Sequence, residues 1–99
     1  MRVMLRAILD TPAANEAIKN GTITQLLDSA IEQLKPEAAY FNPSHGCRSC
    51  TLVFDMQDSS QLPLITEALF MELGAEIEIQ PAMNREDLRK GLEALQRQS

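Results

Sequence analysis

The sequence predicts an α+β fold in which a four-stranded antiparallel sheet carries helices on one face. Two patterns lead to this prediction. Alternation of apolar residues, typical of strands, occurs in four separate stretches of the 99-residue chain. Apolar residues spaced three or four apart, typical of amphipathic helices, occur between the first two stretches, between the last two, and after the fourth. A chain of this length forms one domain, residues 1–99, because it is too short for two independent cores.

The first half of the chain predicts a strand and then an interrupted helix. Val3, Leu5 and Leu9 alternate with the residues between them over 2–10. The signals that start, break and stop the helix are, in order, a cap at Thr11 with Pro12 behind it, a break at Asn20-Gly21, a capping box of Thr22 with Gln25, and a stop at Lys35-Pro36.

The second half predicts a hairpin, a helix, a strand and a final helix. The hairpin has strands over 37–42 and 50–56, joined by an exposed turn over 43–49 that is rich in Pro, Ser and Gly. The remaining signals are a helix cap at Asp58-Ser59-Ser60, a helix stop at Gly74, a strand over 75–83, a capping box of Asn84 with Asp87, and an apolar stripe of Leu88, Leu92 and Leu95.

The resulting order is β-α-β-β-α-β plus a C-terminal helix, which is the ferredoxin-like order. Right-handed crossovers then place both main helices on one face of a sheet with strand order 4-1-3-2. The opposite face should present Met4, Arg6, Ile8, Tyr40, Glu76, Glu78, Gln80 and some of Thr51, Val53 and Asp55. A monomer would leave the apolar members of that set in water, so we expect a homodimer that forms through the helix-free face.

Four segments resemble a group of small bacterial dimeric α/β-barrel proteins without an assigned function. The segments are residues 34–41 (LKPEAAYF), 46–48 (GCR), 53–55 (VFD) and 73–78 (LGAEIE). The resemblance implies a homodimer whose two ferredoxin-like sheets face each other. The wider superfamily includes cofactor-free monooxygenases, muconolactone isomerases, haem-degrading enzymes and chlorite-dismutase-like proteins. No catalytic motif carries over residue by residue, and His45 lies in a predicted turn, where a haem ligand is not expected.

Charge and composition exclude several classes of function. Nine Lys and Arg against fourteen Asp and Glu give a net charge of −5, which disfavours binding to nucleic acid or to an acidic membrane surface. No apolar run approaches the roughly 18 residues of a membrane-spanning helix, and the N-terminus does not resemble a signal peptide. Two closely spaced cysteines do not make a secreted disulfide framework, so we expect a cytoplasmic protein.

Arg6, Glu78 and Tyr40 form the first candidate site. The first and fourth strands are neighbours in the predicted sheet, so Arg6 can pair with Glu78 or Glu76 across them. One interpretation is a structural ion pair inside the dimer interface. The other is a polar pocket in which Arg6 binds an anionic ligand and Tyr40 orients it.

His45, Cys47 and Cys50 form the second candidate site. They offer three metal ligands within six residues, and a closed zinc site needs four. The alternatives are a turn that carries two reduced, structurally dispensable thiols, or an oxidised pair.

Two functions are compatible with the sequence. The first is a non-enzymatic dimeric module that binds a small ligand or has an accessory role. The second is a cofactor-independent monooxygenase- or isomerase-like enzyme that acts on a small organic molecule in the cleft between sheet and helices. Neither requires a cofactor, and one His and one Tyr offer few acid–base groups, which favours the first.

Overall fold

The computed structural model describes residues 1–98 and shows an α+β fold with one four-stranded antiparallel sheet and four α-helices. The elements are β1 (Arg2–Ile8), α1 (Thr11–Lys19), α2 (Thr22–Leu34), β2 (Ala38–Ser44), β3 (Cys47–Asp55), α3 (Leu62–Leu73), β4 (Glu76–Pro81) and α4 (Arg85–Gln98), with a 3-10 turn at Ser59–Gln61 ahead of α3. The strand order β2-β3-β1-β4 confirms the predicted order. Within these residues no helix is both long and apolar enough to cross a membrane.

The core lies between the sheet and the helices α1 and α3. Every second residue of β1 and β3 points into it, and Phe54, Leu5 and Val3 are almost fully buried. Helix α1 contributes the small side chains of Ala14 and Ala17, so it packs close to the sheet. Helix α3 contributes Ile65, Leu69 and Leu73, which are four residues apart and confirm the helical periodicity predicted between the last two strands.

Helix α2 covers the sheet less completely than its neighbours. None of its residues is buried, although Ile23, Leu26 and Leu34 pack partly against the core. The helix therefore has an apolar side, but this side covers only the edge of the sheet near β2. This incomplete cover leaves space beneath the helix.

Two helix starts differ from the prediction. Asp10, and not Thr11, caps α1, and its carboxylate accepts a hydrogen bond from the Ala13 N–H at 3.0 Å. The predicted capping box of Thr22 is absent, because Gly21 occupies the cap position with a φ of 82°. The Asn20 side chain instead accepts hydrogen bonds from the N–H and the hydroxyl of Thr22, at 3.0 and 2.8 Å.

The hairpin turn is shorter than the predicted turn over 43–49. Strand β2 continues to Ser44 and β3 begins at Cys47, so only His45 and Gly46 lie outside the ladder. Both have positive φ angles, 53° and 75°. Two such residues form the tight turn whose twist matches that of the flanking strands, so the strands can pair up to it.

Helix α4 starts as predicted but buries none of its residues against the domain. The Asn84 N–H donates to the Asp87 carboxylate at 3.1 Å and the Asp87 N–H donates to the Asn84 side chain at 2.8 Å, which confirms the capping box. No residue of α4 is buried, and the leucines of its apolar stripe are exposed. The molecule is accordingly elongated, with dimensions of 57 × 28 × 18 Å.

Candidate functional site

One face of the sheet carries none of the helices α1 to α3, and we call it the open face. Residues paired directly across neighbouring strands point to the same face, so the register identifies its members. Three rows cross this face, and from β4 to β2 they read Gln80-Met4-Val53-Ala38, Glu78-Arg6-Thr51-Tyr40 and Glu76-Ile8-Ser49-Asn42. The membership predicted for this face is confirmed.

The middle row contains all three residues of the first candidate site. Arg6 lies directly opposite Glu78 on one side and Thr51 on the other, and Tyr40 follows on the next strand. Two strand spacings separate Arg6 from Tyr40, or about 10 Å between their Cα atoms. The sheet thus brings the three residues into one line, with Glu78 directly beside Arg6 and Tyr40 on the far side of Thr51.

This row is open to solvent in the single chain. Tyr40 is 69% exposed, and Arg6 and Glu78 are exposed as well. Across residues 1–98 no ion pair joins Arg6 to Glu78 or Glu76, although the register allows one. A recess of about 240 Å³ borders Arg6 and Glu78, but Tyr40 is not part of its wall. The polar groups are available to a partner molecule or to a ligand.

Apolar side chains flank the polar row on both sides. Met4 and Val53 are directly paired in one neighbouring row, and Ile8 lies in the other. All three are half-buried and keep part of their surface in contact with water. The open face is therefore a mixed surface, with a charged central row between two partly apolar ones.

Arg2, at one end of the open face, is held by two carboxylates. Its guanidinium donates to Glu37 at 2.5 Å and to Asp87 at 2.7 Å. The hydrogen bond with Glu37 and the nearby negative charges raise the pKa of Arg2. The Asp87 contact ties the first turn of α4 to β1. Sequence reasoning missed both pairs, since the partners lie 35 and 85 positions from Arg2 and no local pattern marks them.

The second candidate site does not assemble. Cys47 and Cys50 both lie in the extended strand β3, three positions apart, so their side chains point to opposite faces of the sheet. Their Cα atoms are about 10 Å apart, which exceeds the reach of a disulfide and of a shared metal ion. Within residues 1–98 no three His, Cys, Asp or Glu side chains are placed to hold a metal. The sequence pattern places Cys47 in a loop, where its thiol could approach that of Cys50. The structure instead places both cysteines in one extended strand.

The two thiols also differ in exposure. Cys50 is 4% exposed, and burial raises the pKa of its thiol. Cys47 is half-buried, and the Thr11 hydroxyl lies 3.9 Å from its sulfur. Ser49 between them is also buried and donates a hydrogen bond to the Asn42 carbonyl at 2.6 Å. The expectation that the whole segment 43–49 is an exposed turn is therefore wrong at Ser49.

A cavity of about 290 Å³ lies between helix α2 and the end of the β2–β3 hairpin. Its roof includes Ile23 and Leu27, and its floor includes Phe41, Arg48 and Cys50. From the sequence we expect a cleft between sheet and helices beside Arg6 and Tyr40, and neither residue lines this cavity. Its location depends on how far α2 stands from the sheet, and the sequence pattern does not determine that distance.

Comparisons with known proteins give little further information. No protein-family model and no curated protein matches the chain. One solved structure with a similar chain path is the "De novo designed protein Ferredog-Diesel", at 9% sequence identity and a TM-score of 0.49, over 82% of this chain and 85% of that chain.

Proposed function

We propose that this protein is a non-enzymatic homodimeric module that binds a small organic ligand, and that its two copies meet through their open faces. The observation that carries the proposal is the surface around Met4, Val53 and Ile8. These side chains lie in two adjacent strands of a face that the helices do not cover. A surface of this kind, with apolar patches and interspersed polar groups, is typical of an interface.

Burial of this surface supplies the driving force. Full burial of an exposed large apolar side chain contributes about 1.5–3 kcal/mol before the cost of association is subtracted, and the half-buried Met4, Ile8 and Val53 gain only the part that corresponds to their still exposed surface. A two-fold symmetric interface uses each residue twice, once from each copy. Met4, Ile8, Val53 and the exposed ring of Tyr40 thus provide eight buried side chains from four positions.

The charges of the open face are compatible with such an interface. Arg6 is a cation without an ion pair in residues 1–98, and Glu76 and Glu78 are exposed carboxylates in the adjacent strand. Charges buried between two copies must be paired, because an isolated buried charge is costly. A face that carries both signs can pair them across a two-fold axis.

The arrangement of acid–base groups supports a binding role over catalysis. The sole histidine, His45, sits at the tip of the hairpin, where Nδ1 is 3.1 Å from the Ser44 hydroxyl. The sole tyrosine, Tyr40, projects from an open strand. General acid–base catalysis needs groups that converge on one substrate position, and these two residues lie in different places.

An enzyme that acts on a small organic molecule is the second candidate, because the cavity beneath α2 offers space for a substrate. At about 290 Å³ this cavity is close to the lower limit of ligand pockets. Its lining is mostly apolar, however, and the buried Cys50 thiol is kept protonated by its surroundings. A non-enzymatic ligand pocket fits this lining better than a catalytic centre.

Methyl NMR with a soluble paramagnetic agent tests where the copies meet. In the proposed dimer the methyl groups of Met4, Ile8 and Val53 are shielded, so their relaxation rises little when the agent is added. Leu64 on α3 is 75% exposed and serves as the internal control, with a strong increase. Relaxation of the open-face methyls as strong as that of Leu64 at millimolar protein would contradict the proposed interface.

A further inference from the structure

We propose that the cavity between α2 and the β2–β3 hairpin binds a small amphipathic carboxylate, with its apolar part beneath α2 and its carboxylate on Arg48. This inference rests on the proposed ligand-binding function and names the site and the chemical class of the ligand. It places the anion-binding arginine on the opposite side of the sheet from Arg6.

The floor of the cavity is formed by two cross-strand pairs. Phe41 lies opposite Cys50, and Pro43 lies opposite Arg48. These residues alternate with the open-face residues of the same strands, so they point towards the helices. Arg48 is therefore at the end of the hairpin, and the apolar floor begins directly next to it.

The roof is formed by one side of α2. Ile23 and Leu27 are four positions apart and thus lie on the same helix face, above the floor. Because α2 buries none of its residues, these side chains do not fill the space below them. Phe41 accordingly remains 53% exposed, although it points to the helix side of the sheet.

The charge distribution selects an anionic ligand. Arg48 is the charged residue of the cavity wall, and no Asp or Glu contributes to that wall. Two other recesses contrast with it because carboxylates line both: Asp10 and Glu76 border one, and Glu76 and Glu78, together with Arg6, border the other. Arg48 has no ion pair within residues 1–98, so its guanidinium is available. Guanidinium and carboxylate groups form paired, charge-assisted hydrogen bonds.

Two polar residues, Asn42 and Ser49, also border the cavity, although the strand register assigns their side chains to the open face. The Ser49 hydroxyl donates to the Asn42 carbonyl, and the Asn42 amide donates to the Pro43 carbonyl at 3.1 Å. Cys50 is buried and behaves as a small apolar side chain when its thiol is protonated. The cavity thus combines an apolar interior with one cation at its end.

Binding of trans-cinnamate and of octanoate, each compared with its uncharged amide, tests the proposal. We expect each carboxylate to bind about tenfold more tightly than its amide, in isothermal titration and in NMR shifts at Phe41 and Leu27. Arg48→Gln should remove this difference, and Leu27→Trp, which fills the cavity, should weaken binding of acid and amide alike. Arg85→Gln removes an exposed arginine outside the cavity and is the matched control, which should leave the difference intact, whereas Arg6→Gln tests the competing anion site on the open face.

Three results would overturn the proposal: no binding of either acid at millimolar concentration, equal affinity for acid and amide, or a preference for the acid that depends on Arg6. The Met4→Asp variant separates this inference from the dimer, because the cavity lies on the other side of the sheet. Carboxylate binding by a wild-type protein that is monomeric would support the cavity and contradict the proposed assembly. A wild-type dimer that binds neither acid would contradict the cavity proposal and support the proposed assembly.

Discussion

Met4 on β1 and Val53 on β3 are directly opposed across adjacent strands, on the face of the sheet that α1 to α3 leave uncovered. The pair combines two partly exposed apolar side chains on the two central strands of the sheet. The row next to this pair is the charged one that contains Arg6 and Glu78, and the row beyond it contains Ile8. This relationship is the basis of the proposed assembly, and a single charge placed there provides its first test.

Met4→Asp should split the dimer. The substitution replaces an apolar side chain by a carboxylate in the proposed interface, where burial of the charge is costly. We expect the dissociation constant to rise by at least about 100-fold, measured by sedimentation velocity over a dilution series. The matched control is Leu64→Asp, which adds the same charge at an exposed apolar position on α3 and should leave the dimer unchanged. Equal effects of the two variants would mean that net charge, and not the open face, controls association.

Gly74→Ala should destabilise the fold more than Gly21→Ala. Both glycines have positive φ angles, 54° and 82°, so each alanine variant incurs strain of about 1 kcal/mol. At Gly74 the added Cβ would also lie 2.9 Å from the Cβ of Asp10, the cap of α1, whereas at Gly21 it meets nothing within 4 Å. Overpacking adds about 1–3 kcal/mol, so urea denaturation should separate the two variants by at least about 1 kcal/mol. Equal losses would show that the contact with Asp10 relaxes freely.

Cys47 should react with iodoacetamide well before Cys50 in the folded protein. Cys50 is buried and burial raises the pKa of its thiol, so little of the reactive thiolate is accessible. Peptide mass spectrometry after timed labelling gives both rates, and labelling in guanidinium chloride is the control, where the rates should converge. Mild oxidation should yield no Cys47–Cys50 disulfide, and protein purified without chelator should carry no stoichiometric zinc. Zinc that is lost in Cys47→Ser would contradict the placement of the two thiols on opposite faces.

The acid stability of the protein should depend on Asp58. Its pKa is lowered by hydrogen bonds from the Ser60 hydroxyl and backbone N–H, so the folded protein holds this carboxylate ionised to a lower pH than the unfolded chain does. The resulting stability is present above pH about 4 and is lost as the pH falls through the folded-state pKa. The difference in unfolding free energy between wild type and Asp58→Asn should therefore shrink in acid. Ser60→Ala, which removes one donor, should flatten the same acid limb, and a pH-independent difference would contradict the assignment.

Element order and sheet faces could be predicted from the sequence, because both follow from short-range periodicity. The alternation of Met4, Arg6 and Ile8 with core residues assigned them to the open face, and the register confirms that assignment. The stop at Gly74 and the capping box of Asn84 with Asp87 are local motifs and were also predicted.

The parts that sequence reasoning missed depend on distance or on rare backbone geometry. The two-residue turn requires His45 at a φ of 53°, which few non-glycine residues adopt, so a longer turn was expected. Because the predicted turn was too long, Cys47 was assigned to a loop and not to the strand. A metal site shared by His45 and both cysteines was therefore considered. The Arg2 pairs with Glu37 and Asp87, and the gap beneath α2, arise only when distant segments pack.

The mass of the wild-type protein in solution is the most direct test of the proposed assembly. Size-exclusion chromatography with multi-angle light scattering at low micromolar concentration should give twice the chain mass of 11.0 kDa. A mass that stays at the value of a single chain at every concentration from low micromolar to about 1 mM would contradict the account. Met4, Ile8 and Val53 would then face water with no second copy to cover them.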